Sequence, residues 1–281
     1  MQRRTENSDR VESSKFSVSI VIPARNEQNR LPRTLEHIIA YSREKRWDAE
    51  VIVVNDGSTD GTAGVVHRFA KTNPTVTLID NLVNSGKGSS IRDGMLRATG
   101  DVVLFTDADD STPIEEADKL LKVIMDGTDI VIGSRWVNRT LQTKPQPWYR
   151  RLNGRIYNLL LRTLLGLDLT DTQNGFKAFT RKAAKLAFAI QRIPGWGFDA
   201  ESLFIANKLG FTVAEVPVEY EYCPEGSKIR PYRDGAKMLL ELLLVRWHFA
   251  RGAYHAVVGR PSSTTPVRLA ASAISESQPS E

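Results

Sequence analysis

Short runs of apolar, largely β-branched residues alternate with stretches of helical spacing through the first half of the chain. The runs predict five strands, over residues 16–22, 50–54, 76–79, 101–106 and 129–132. The stretches between them predict four helices, over residues 31–46, 62–71, 89–98 and 113–125. Buried strands that alternate with helices are typical of a mostly parallel sheet covered on both faces. The pattern therefore predicts an α/β fold, in which Pro23 is expected to end the first strand.

The pattern is different after residue 133. Helices are predicted over residues 155–167, 195–209 and 236–250, and apolar residues alternate along 216–222 as in a strand. Pro217 within that strand favours an edge position in the sheet. The helix over 155–167 is expected to carry four apolar residues on one side. These residues are Ile156, Leu159, Leu160 and Leu164.

Both ends of the chain lack such periodicity. Residues 1–15 are polar with mixed charge, and residues 260–281 are rich in Ser, Thr, Pro and Ala, a composition typical of disorder. No run of 18 apolar residues occurs, so no helix is expected to span a membrane. We therefore predict one folded domain over residues 16–259, in two halves that cover 16–133 and 134–259. A polar N-terminal tail (1–15) and a disordered C-terminal tail (260–281) are expected on either side.

Polar clusters follow the first four predicted strands. They cover residues 23–27 (Pro-Ala-Arg-Asn-Glu), 55–61 (Asn-Asp-Gly-Ser-Thr-Asp-Gly), 84–88 (Asn-Ser-Gly-Lys-Gly) and 107–110 (Asp-Ala-Asp-Asp). Each cluster alone is typical of an ordinary turn, since Gly, Asn and Asp dominate turns. Parallel strands, however, bring their carboxyl ends to one edge of a sheet, where ligands bind. We therefore expect the four clusters to converge into one site.

The chemistry of these clusters fits a nucleotide held through a metal ion. Asp107 and Asp109 follow a strand at i,i+2 spacing, so both carboxylates can supply oxygen to Mg²⁺ or Mn²⁺. Such an ion stabilises the charge that builds on a leaving nucleoside diphosphate. Lys87 adds a cation close to the nucleotide, and Asp56 can accept hydrogen bonds from its base or ribose.

Glycines are expected to let the backbone approach the same nucleotide. They are Gly86 and Gly88, on either side of Lys87. Neither the Gly-x-Gly-x-x-Gly fingerprint nor a P-loop occurs in the sequence. Their absence weighs against a dinucleotide-dependent enzyme and against a P-loop NTPase.

The charge of the chain favours an acidic partner. The 281 residues carry a formal net charge of +5, and residues 133–167 include seven Arg or Lys and no Asp or Glu. A phosphorylated substrate and an anionic membrane surface both fit this charge. Nucleic acid is disfavoured, because no recognised nucleic-acid-binding module occurs. Cys223 is the single cysteine, which excludes an internal disulfide and a Cys-based zinc site and favours a reducing compartment.

Two leucine-rich helices are candidates for contact with a membrane. They are predicted over residues 155–167 and 236–250, with Arg155, Arg162, Arg246 and Arg251 beside their apolar faces. Helices of this kind lie on anionic lipid surfaces, although the leucines can equally pack in a protein core. We expect a cytoplasmic protein that attaches peripherally to the cytoplasmic face of a membrane.

The polar clusters resemble motifs of the family 2 inverting glycosyltransferases, which have the GT-A fold. The matching segments are 21–27, 53–60, 84–88 and 106–109. In the second half, segments 133–135, 171–179, 197–201, 215–218 and 226–228 resemble the dolichyl-phosphate glucosyltransferase branch, which is related to the dolichyl-phosphate mannose synthases. The resemblance spans roughly residues 16–250. It implies a nucleotide-binding half over 16–133 and an acceptor-binding half over 134–259.

The resemblance also implies a reaction and roles for individual residues. Transfer of glucose from UDP-glucose to dolichyl or another polyprenyl phosphate is favoured. Transfer of mannose from GDP-mannose is an alternative, and an alcohol acceptor on a soluble sugar or glycan is a more distant one. Asp107 and Asp109 match metal ligands, and Asp199 matches a third. The expected nucleotide-sugar pocket comprises Pro23, Arg25, Glu27, Asp56, Lys87 and Gly88, and the acceptor phosphate is expected on Arg135 with Arg150 or Arg151.

A phosphate acceptor agrees with the lack of an evident general base. A phosphate monoester is largely dianionic at pH 7, so the enzyme has to position it and neutralise charge without removing a proton. An alcohol acceptor would need a base, for which Asp199 and Glu201 are the candidates.

Other classes fit the clusters less well. A phosphatase of the haloacid dehalogenase type has a similar Asp-x-Asp loop, but after its first strand. A nucleotidyltransferase would need a Gly-rich loop with Arg after the first strand, and none occurs. A non-catalytic binding module would be expected to lose the Asp107 and Asp109 pair.

Overall fold

Nine strands and eight helices form the part of the chain that the computed structural model describes, which is residues 16–144, 148–223 and 231–254. The strands are β1 (Ser17–Ala24), β2 (Asp48–Asp56), β3 (Val76–Asn81), β4 (Val102–Phe105), β5 (Ile130–Ser134), β6 (Gln142–Lys144), β7 (Lys177–Thr180), β8 (Val213–Pro217) and β9 (Tyr220–Glu221). The helices are α1 (Leu31–Glu44), α2 (Thr62–Thr72), α3 (Lys87–Arg97), α4 (Ala117–Met125), α5 (Trp148–Leu165), α6 (Arg181–Ala189), α7 (Phe198–Lys208) and α8 (Pro231–Ala250). Short 3-10 turns cover Ile114–Glu116 and Arg139–Leu141. Both predicted tails lie outside the described residues.

Seven strands form one sheet in the order β3-β2-β1-β4-β7-β5-β8, and β6 pairs with β9 in a second, two-stranded sheet. All neighbours in the large sheet are parallel except β7, which runs antiparallel to both β4 and β5. The prediction of a mostly parallel α/β sheet is therefore confirmed. The strand predicted over 216–222 divides into β8 and β9, and Pro217 lies in the edge strand β8, as expected.

The first strand runs one residue beyond Pro23, so the prediction that this proline ends the strand is wrong. Pro23 pairs with Val54 of β2. On the other side of β1, the ladder with β4 ends at the pair Val21 and Phe105. A proline lacks an N–H group and is tolerated where a neighbouring ladder has already ended.

Helices cover both faces of the large sheet. One core forms between the sheet and α3, α5, α6, α7 and α8, and the other forms between the sheet and α1, α2 and α4. None of the helices among the described residues is long and apolar enough to cross a membrane.

The apolar sides of α5 differ from the prediction. Its buried side is formed by Tyr157, Leu161 and Leu165, with Leu160 and Leu164 partly buried beside them. Ile156 and Leu159 were expected on the same side as Leu160 and Leu164, but they are 49% and 60% exposed. The helix is apolar around most of its circumference, so sequence spacing alone did not identify the buried side.

Candidate active site

The four predicted clusters meet at the carboxyl edge of the sheet through direct contacts. The first cluster contacts the second where the Asn26 side chain accepts from the backbone N–H of Thr59 at 2.8 Å. The second contacts the third through Asp56, and the third contacts the fourth through Lys87 and Asp107. Parallel strands direct their carboxyl ends to one edge, and this is the physical reason why the convergence could be predicted.

Asp56 organises the loop that precedes α3. Its buried carboxylate accepts hydrogen bonds from the backbone N–H groups of Ser85 at 2.7 Å and Gly86 at 3.1 Å. The hydroxyl of Ser85 donates to the same carboxylate at 3.1 Å. In the structure the Asp56 carboxylate binds this loop. Its binding of a base or ribose stays a prediction.

Lys87 and Asp107 form an ion pair at the centre of the site. The Nζ atom of Lys87 lies 2.5 Å from Oδ1 of Asp107 and 5.3 Å from the centre of the Trp196 ring. Burial alone would lower the pKa of Lys87, but the negative charges of Asp107 and Asp199 outweigh it and raise the pKa above its ordinary value. Lys87 therefore keeps its positive charge next to the Asp-x-Asp segment.

Asp109 is the second carboxylate of this segment, and it contacts Arg30. Nη1 of Arg30 lies 3.4 Å from Oδ2 of Asp109, while the rest of the guanidinium binds the buried carboxylate of Glu27 at 2.7 and 2.8 Å. Burial and the nearby charge of Asp107 raise the pKa of Asp109. The two carboxylates repel each other, and a divalent cation between them would relieve this repulsion. Carboxylate oxygens are also the ligands that hard cations such as Mg²⁺ and Mn²⁺ prefer.

Asp199 does not join Asp107 and Asp109 in a cluster of three. Its carboxylate binds Nζ of Lys177 at 2.5 Å, and no three Asp, Glu, His or Cys side chains in the described part of the chain are placed to hold a metal. Lys177 is fully buried in β7, and a buried ammonium group needs an anionic partner. Asp199 thus balances the charge of Lys177, and its role as a third metal ligand stays a prediction.

The glycines on either side of Lys87 allow close packing against another loop of the protein. Gly86 has a φ of +99°, and a Cβ on it would lie 2.4 Å from the carbonyl oxygen of Pro194. A Cβ on Gly88 would lie 2.6 Å from the carbonyl oxygen of Ile193. The backbone N–H of Gly88 donates to Pro194 at 2.9 Å. Both glycines are thus required where the start of α3 packs against the loop over 193–197.

Gly175 lies against the Asp107 carboxylate, a contact that the sequence did not predict. A Cβ on Gly175 would lie 2.0 Å from Oδ2 of Asp107. The segment over 171–175 therefore packs directly on the Asp107 carboxylate. The only signal in the sequence is the position of this glycine within the segment 171–179.

Arg135 is occupied by an internal partner. Its Nε and Nη2 atoms donate to the two carboxylate oxygens of Asp171 at 2.8 and 2.7 Å, and its backbone N–H donates to Asp171 at 2.8 Å. Glu215 holds the same turn by accepting from the backbone N–H of Asp171 at 2.8 Å. Withdrawing Arg135 to bind a phosphate would leave Asp171, which is 2% exposed, without its cation. Arg135 thus supports this turn, and its binding of the acceptor phosphate stays a prediction.

Glu201 is also engaged. Its buried carboxylate accepts from the hydroxyl of Tyr254 at 2.6 Å and from the backbone N–H groups of Arg192 and Ile193 at 3.0 and 2.7 Å. This arrangement is a structural anchor for the loop before α7. Glu201 is therefore not placed as a general base.

The remaining predicted residues are placed as follows. Pro23 is half-buried near the end of β1, and Arg25 is exposed directly after that strand. Arg150 and Arg151 lie in the first turn of α5, but their side chains lie outside the described part of the structure. Residues 226–228, which contributed to the resemblance, also lie outside it.

A mostly parallel sheet with one antiparallel strand, and with an Asp-x-Asp pair and a lysine at its carboxyl edge, defines the GT-A class of glycosyltransferases. The chain belongs to glycosyl transferase family 2, whose family model matches residues 19–187. The predicted family, fold and enzyme class are thereby confirmed, and the chain is a hexosyltransferase of this family.

Curated relatives match most of the chain. A dolichyl-phosphate beta-glucosyltransferase from Trichomonas vaginalis is 38% identical over 248 residues, which cover 84% of this chain and 75% of that protein. Proteins of the same description from Homo sapiens and Saccharomyces cerevisiae are 34% and 31% identical. Each of these alignments covers 84% of this chain, and they cover 77% and 76% of the two relatives.

Solved structures of other glycosyltransferases share the fold. Glucosyl-3-phosphoglycerate synthase from Mycobacterium tuberculosis, in complex with uridine diphosphate, has a TM-score of 0.57 at 20% identity, covering 90% of this chain and 88% of that chain. A mannosyltransferase from Pyrobaculum calidifontis, in complex with GDP-mannose and Mn²⁺, has a TM-score of 0.55 at 21% identity, covering 88% and 69%.

Proposed function

We propose that this glycosyltransferase moves glucose from UDP-glucose to dolichyl or another polyprenyl phosphate, with inversion at the sugar carbon C1. The observation that carries the proposal is the group of Lys87, Asp107 and Asp109 at the carboxyl edge of the sheet, which suits a nucleoside diphosphate. The choice of sugar and acceptor is supported by relatives from three distant organisms that share the description dolichyl-phosphate beta-glucosyltransferase.

The reaction needs one bond to form and one to break at C1. An oxygen of the acceptor phosphate attacks C1 from the face opposite the nucleotide, and the bond from C1 to the diphosphate oxygen breaks. The electron pair leaves with the nucleoside diphosphate, and an α-linked donor gives a β-linked product. The acceptor is dianionic near pH 7, so no side chain has to remove a proton from it. This agrees with the engagement of Asp199 by Lys177 and of Glu201 by Tyr254.

Asp107 and Asp109 would hold the divalent cation, Mg²⁺ or Mn²⁺, with the donor diphosphate completing its coordination. Two solved structures of the same fold, of glucosyl-3-phosphoglycerate synthase, contain Mn²⁺ or Mg²⁺ together with uridine diphosphate. When bound, such an ion neutralises charge on the leaving diphosphate. Lys87 adds a fixed positive charge on the same side of the sheet and holds the Asp107 carboxylate in place.

We also propose peripheral attachment to the cytoplasmic face of an anionic membrane. The attachment itself is supported by α5 and α8, which pack against each other. Both helices expose large apolar side chains. These are Leu152, Ile156 and Leu159 on α5, and Leu239, Leu240, Leu243, Leu244 and Trp247 on α8. Cations lie beside them, and the guanidinium of Arg251 stacks over Trp247 at 4.3 Å. Exposed apolar patches with adjacent positive charge are typical of interfacial helices.

The acceptor phosphate needs a cation that can bind it. Arg135 is predicted for this role, although its contacts with Asp171 engage two of its nitrogen atoms. Arg150 and Arg151 remain our candidates, because they lie in the first turn of α5, the helix that also exposes Leu152 and Ile156. A lipid lying along this helix would bring its phosphate near that turn.

A donor panel tests the proposal. The protein is incubated with a short polyprenyl phosphate, Mg²⁺ and, in turn, UDP-glucose, GDP-mannose and other nucleotide-sugars, and the released nucleoside diphosphate is measured. We expect release with UDP-glucose that depends on the lipid phosphate. Release with GDP-mannose alone would identify a mannosyltransferase, and release that requires a sugar alcohol instead of the lipid would overturn the acceptor assignment.

A further inference from the structure

The two sides of α8 differ in character. The outer side exposes Leu240, Leu243 and Leu244 at 61%, 48% and 44%, whereas Leu242 and Val245 on the inner side are fully buried. The inner side also carries one acidic residue, Glu241, which is 5% exposed. A buried carboxylate is costly unless hydrogen bonds or cations compensate it. Its presence on this side therefore calls for a structural or functional reason.

Glu241 contacts the loop over 193–197. Its Oε2 atom accepts a hydrogen bond from the backbone N–H of Gly197 at 2.7 Å. A Cβ on Gly195 would lie 2.1 Å from Oε1, and a Cβ on Gly197 would lie 2.9 Å from Oε2. The glycines on both sides of Trp196 therefore make room for this one carboxylate. Lys237 adds a weaker contact, with its Nζ atom 3.8 Å from Oε1.

The other side of the same loop contacts the start of α3. The carbonyl oxygen of Pro194 accepts from the backbone N–H of Gly88 at 2.9 Å, and the ring of Trp196 lies 5.3 Å from Nζ of Lys87. Lys87 in turn binds Asp107 at 2.5 Å. A continuous series of contacts thus leads from Glu241 through the loop to the ion pair at the centre of the site.

We propose that Glu241 is a positioning residue that fixes the loop over 193–197 and thereby seats Lys87 for the donor diphosphate. The helix that exposes its leucines to a membrane would then also support the donor site from behind. This inference rests on the proposed function, because it assigns the diphosphate of a nucleotide-sugar to Lys87. Without the carboxylate, the N–H of Gly197 loses its acceptor and the loop loses its anchor, so that Trp196 and Pro194 no longer hold the start of α3.

Two conservative variants separate the reach of the side chain from its charge. Glu241→Asp keeps the charge but shortens the side chain by one methylene, which breaks a 2.7 Å hydrogen bond. Glu241→Gln loses the charge but keeps an oxygen that can accept from Gly197. The affinity for UDP with Mg²⁺ is measured by calorimetry, and the melting temperature and sedimentation with anionic vesicles are measured in parallel. Lys237→Gln is the control, since it removes the weaker contact at 3.8 Å and leaves the carboxylate in place.

We expect Glu241→Asp to raise the dissociation constant for UDP about tenfold, and Glu241→Gln to raise it less than about threefold. Vesicle binding should stay unchanged in both variants, because the outer side of α8 is intact. Wild-type affinity in Glu241→Asp, with or without a lower melting temperature, would overturn the inference and leave the proposed function standing. A wild-type protein that binds no nucleoside diphosphate would overturn both.

Discussion

At the scale of single residues, the position of the Asp107 carboxylate depends on the absence of a side chain at Gly175. Gly175→Ala would place a methyl group 2.0 Å from the present position of Oδ2, so the carboxylate has to move. Misplacement of a catalytic group by about 1 Å can lower a rate about 10²-fold. We expect a loss of that order in turnover, measured by release of nucleoside diphosphate, with the fold retained.

The matched control for Gly175→Ala is Gly235→Ala. Among the residues that the structure describes, no atom would lie within 4 Å of a Cβ on Gly235, so this variant should keep full turnover. Equal activity in the two variants would show that the contact between Gly175 and Asp107 does not matter for the reaction.

Asp109 is expected to act through a divalent cation. Asp109→Asn keeps the size of the side chain but removes half of the carboxylate pair, so transfer should fall about 10²-fold or more. EDTA should inhibit the wild-type protein, and added Mg²⁺ or Mn²⁺ should restore it. Asp110→Asn is the control, because the Asp110 carboxylate contacts His37 at 2.9 Å. Full activity of the wild-type protein in EDTA would contradict this role for Asp109.

The pair of Arg135 and Asp171 is expected to govern stability. Arg135→Ala leaves a buried carboxylate without its cation, and the free energy of unfolding should fall by about 3–5 kcal/mol in a denaturant titration. The control is Arg181→Ala, whose partner Asp101 is half exposed, where a loss of about 0–1 kcal/mol is expected. A small effect of Arg135→Ala on stability together with weaker acceptor binding would instead favour the predicted binding of the acceptor phosphate by Arg135.

Sequence reasoning identified where the site lies better than it identified the partners of its charged residues. The carboxyl ends of β2, β3 and β4 had to share an edge, so the convergence of Asp56, Lys87 and Asp107 followed from topology. The pairings of Asp199 with Lys177 and of Arg135 with Asp171 join segments 22 and 36 residues apart. Such pairings depend on tertiary packing, which no local pattern encodes.

At the scale of elements, α8 is expected to bind membranes through its outer side. Leu243→Glu with Leu244→Glu should release the protein from anionic vesicles in a sedimentation assay, since both leucines are nearly half exposed. High salt should release only part of the wild-type protein, because each Arg or Lys near the surface contributes about 1 kcal/mol and salt screens only that part of the binding.

Met125→Glu provides the control for the α8 variant. Met125 is 59% exposed at the end of α4, which packs on the opposite face of the sheet, so this variant should remain bound to vesicles. A wild-type protein that does not sediment with vesicles, or equal release by the two variants, would contradict attachment through α8.

The elements also show why some structure was predictable and some was not. The five strands predicted before residue 134 are all present, because buried β-branched runs are a strong local signal. The strand β7 was missed: it has four residues, and it begins with Lys177, which is fully buried although it is a lysine. Its place between β4 and β5 is set by antiparallel pairing with residues distant in sequence.

At the scale of the whole molecule, the proposed donor site and an exposed apolar surface lie close to the same few elements. The sheet edge carries Lys87, Asp107 and Asp109, and α8 lies behind the loop over 193–197 that packs against them. The positive net charge, concentrated in the sequence between residues 133 and 167, fits an acidic acceptor at a lipid surface. This arrangement suits an enzyme whose donor is soluble and whose acceptor is a membrane lipid.

The most direct test of this account is the identity of the product formed from UDP-glucose and a short polyprenyl phosphate with Mg²⁺. Mass spectrometry of the lipid fraction should show one added hexose on the phosphate, and NMR should show the β configuration at C1. No glucosylated lipid phosphate, or a product with the α configuration, would contradict it.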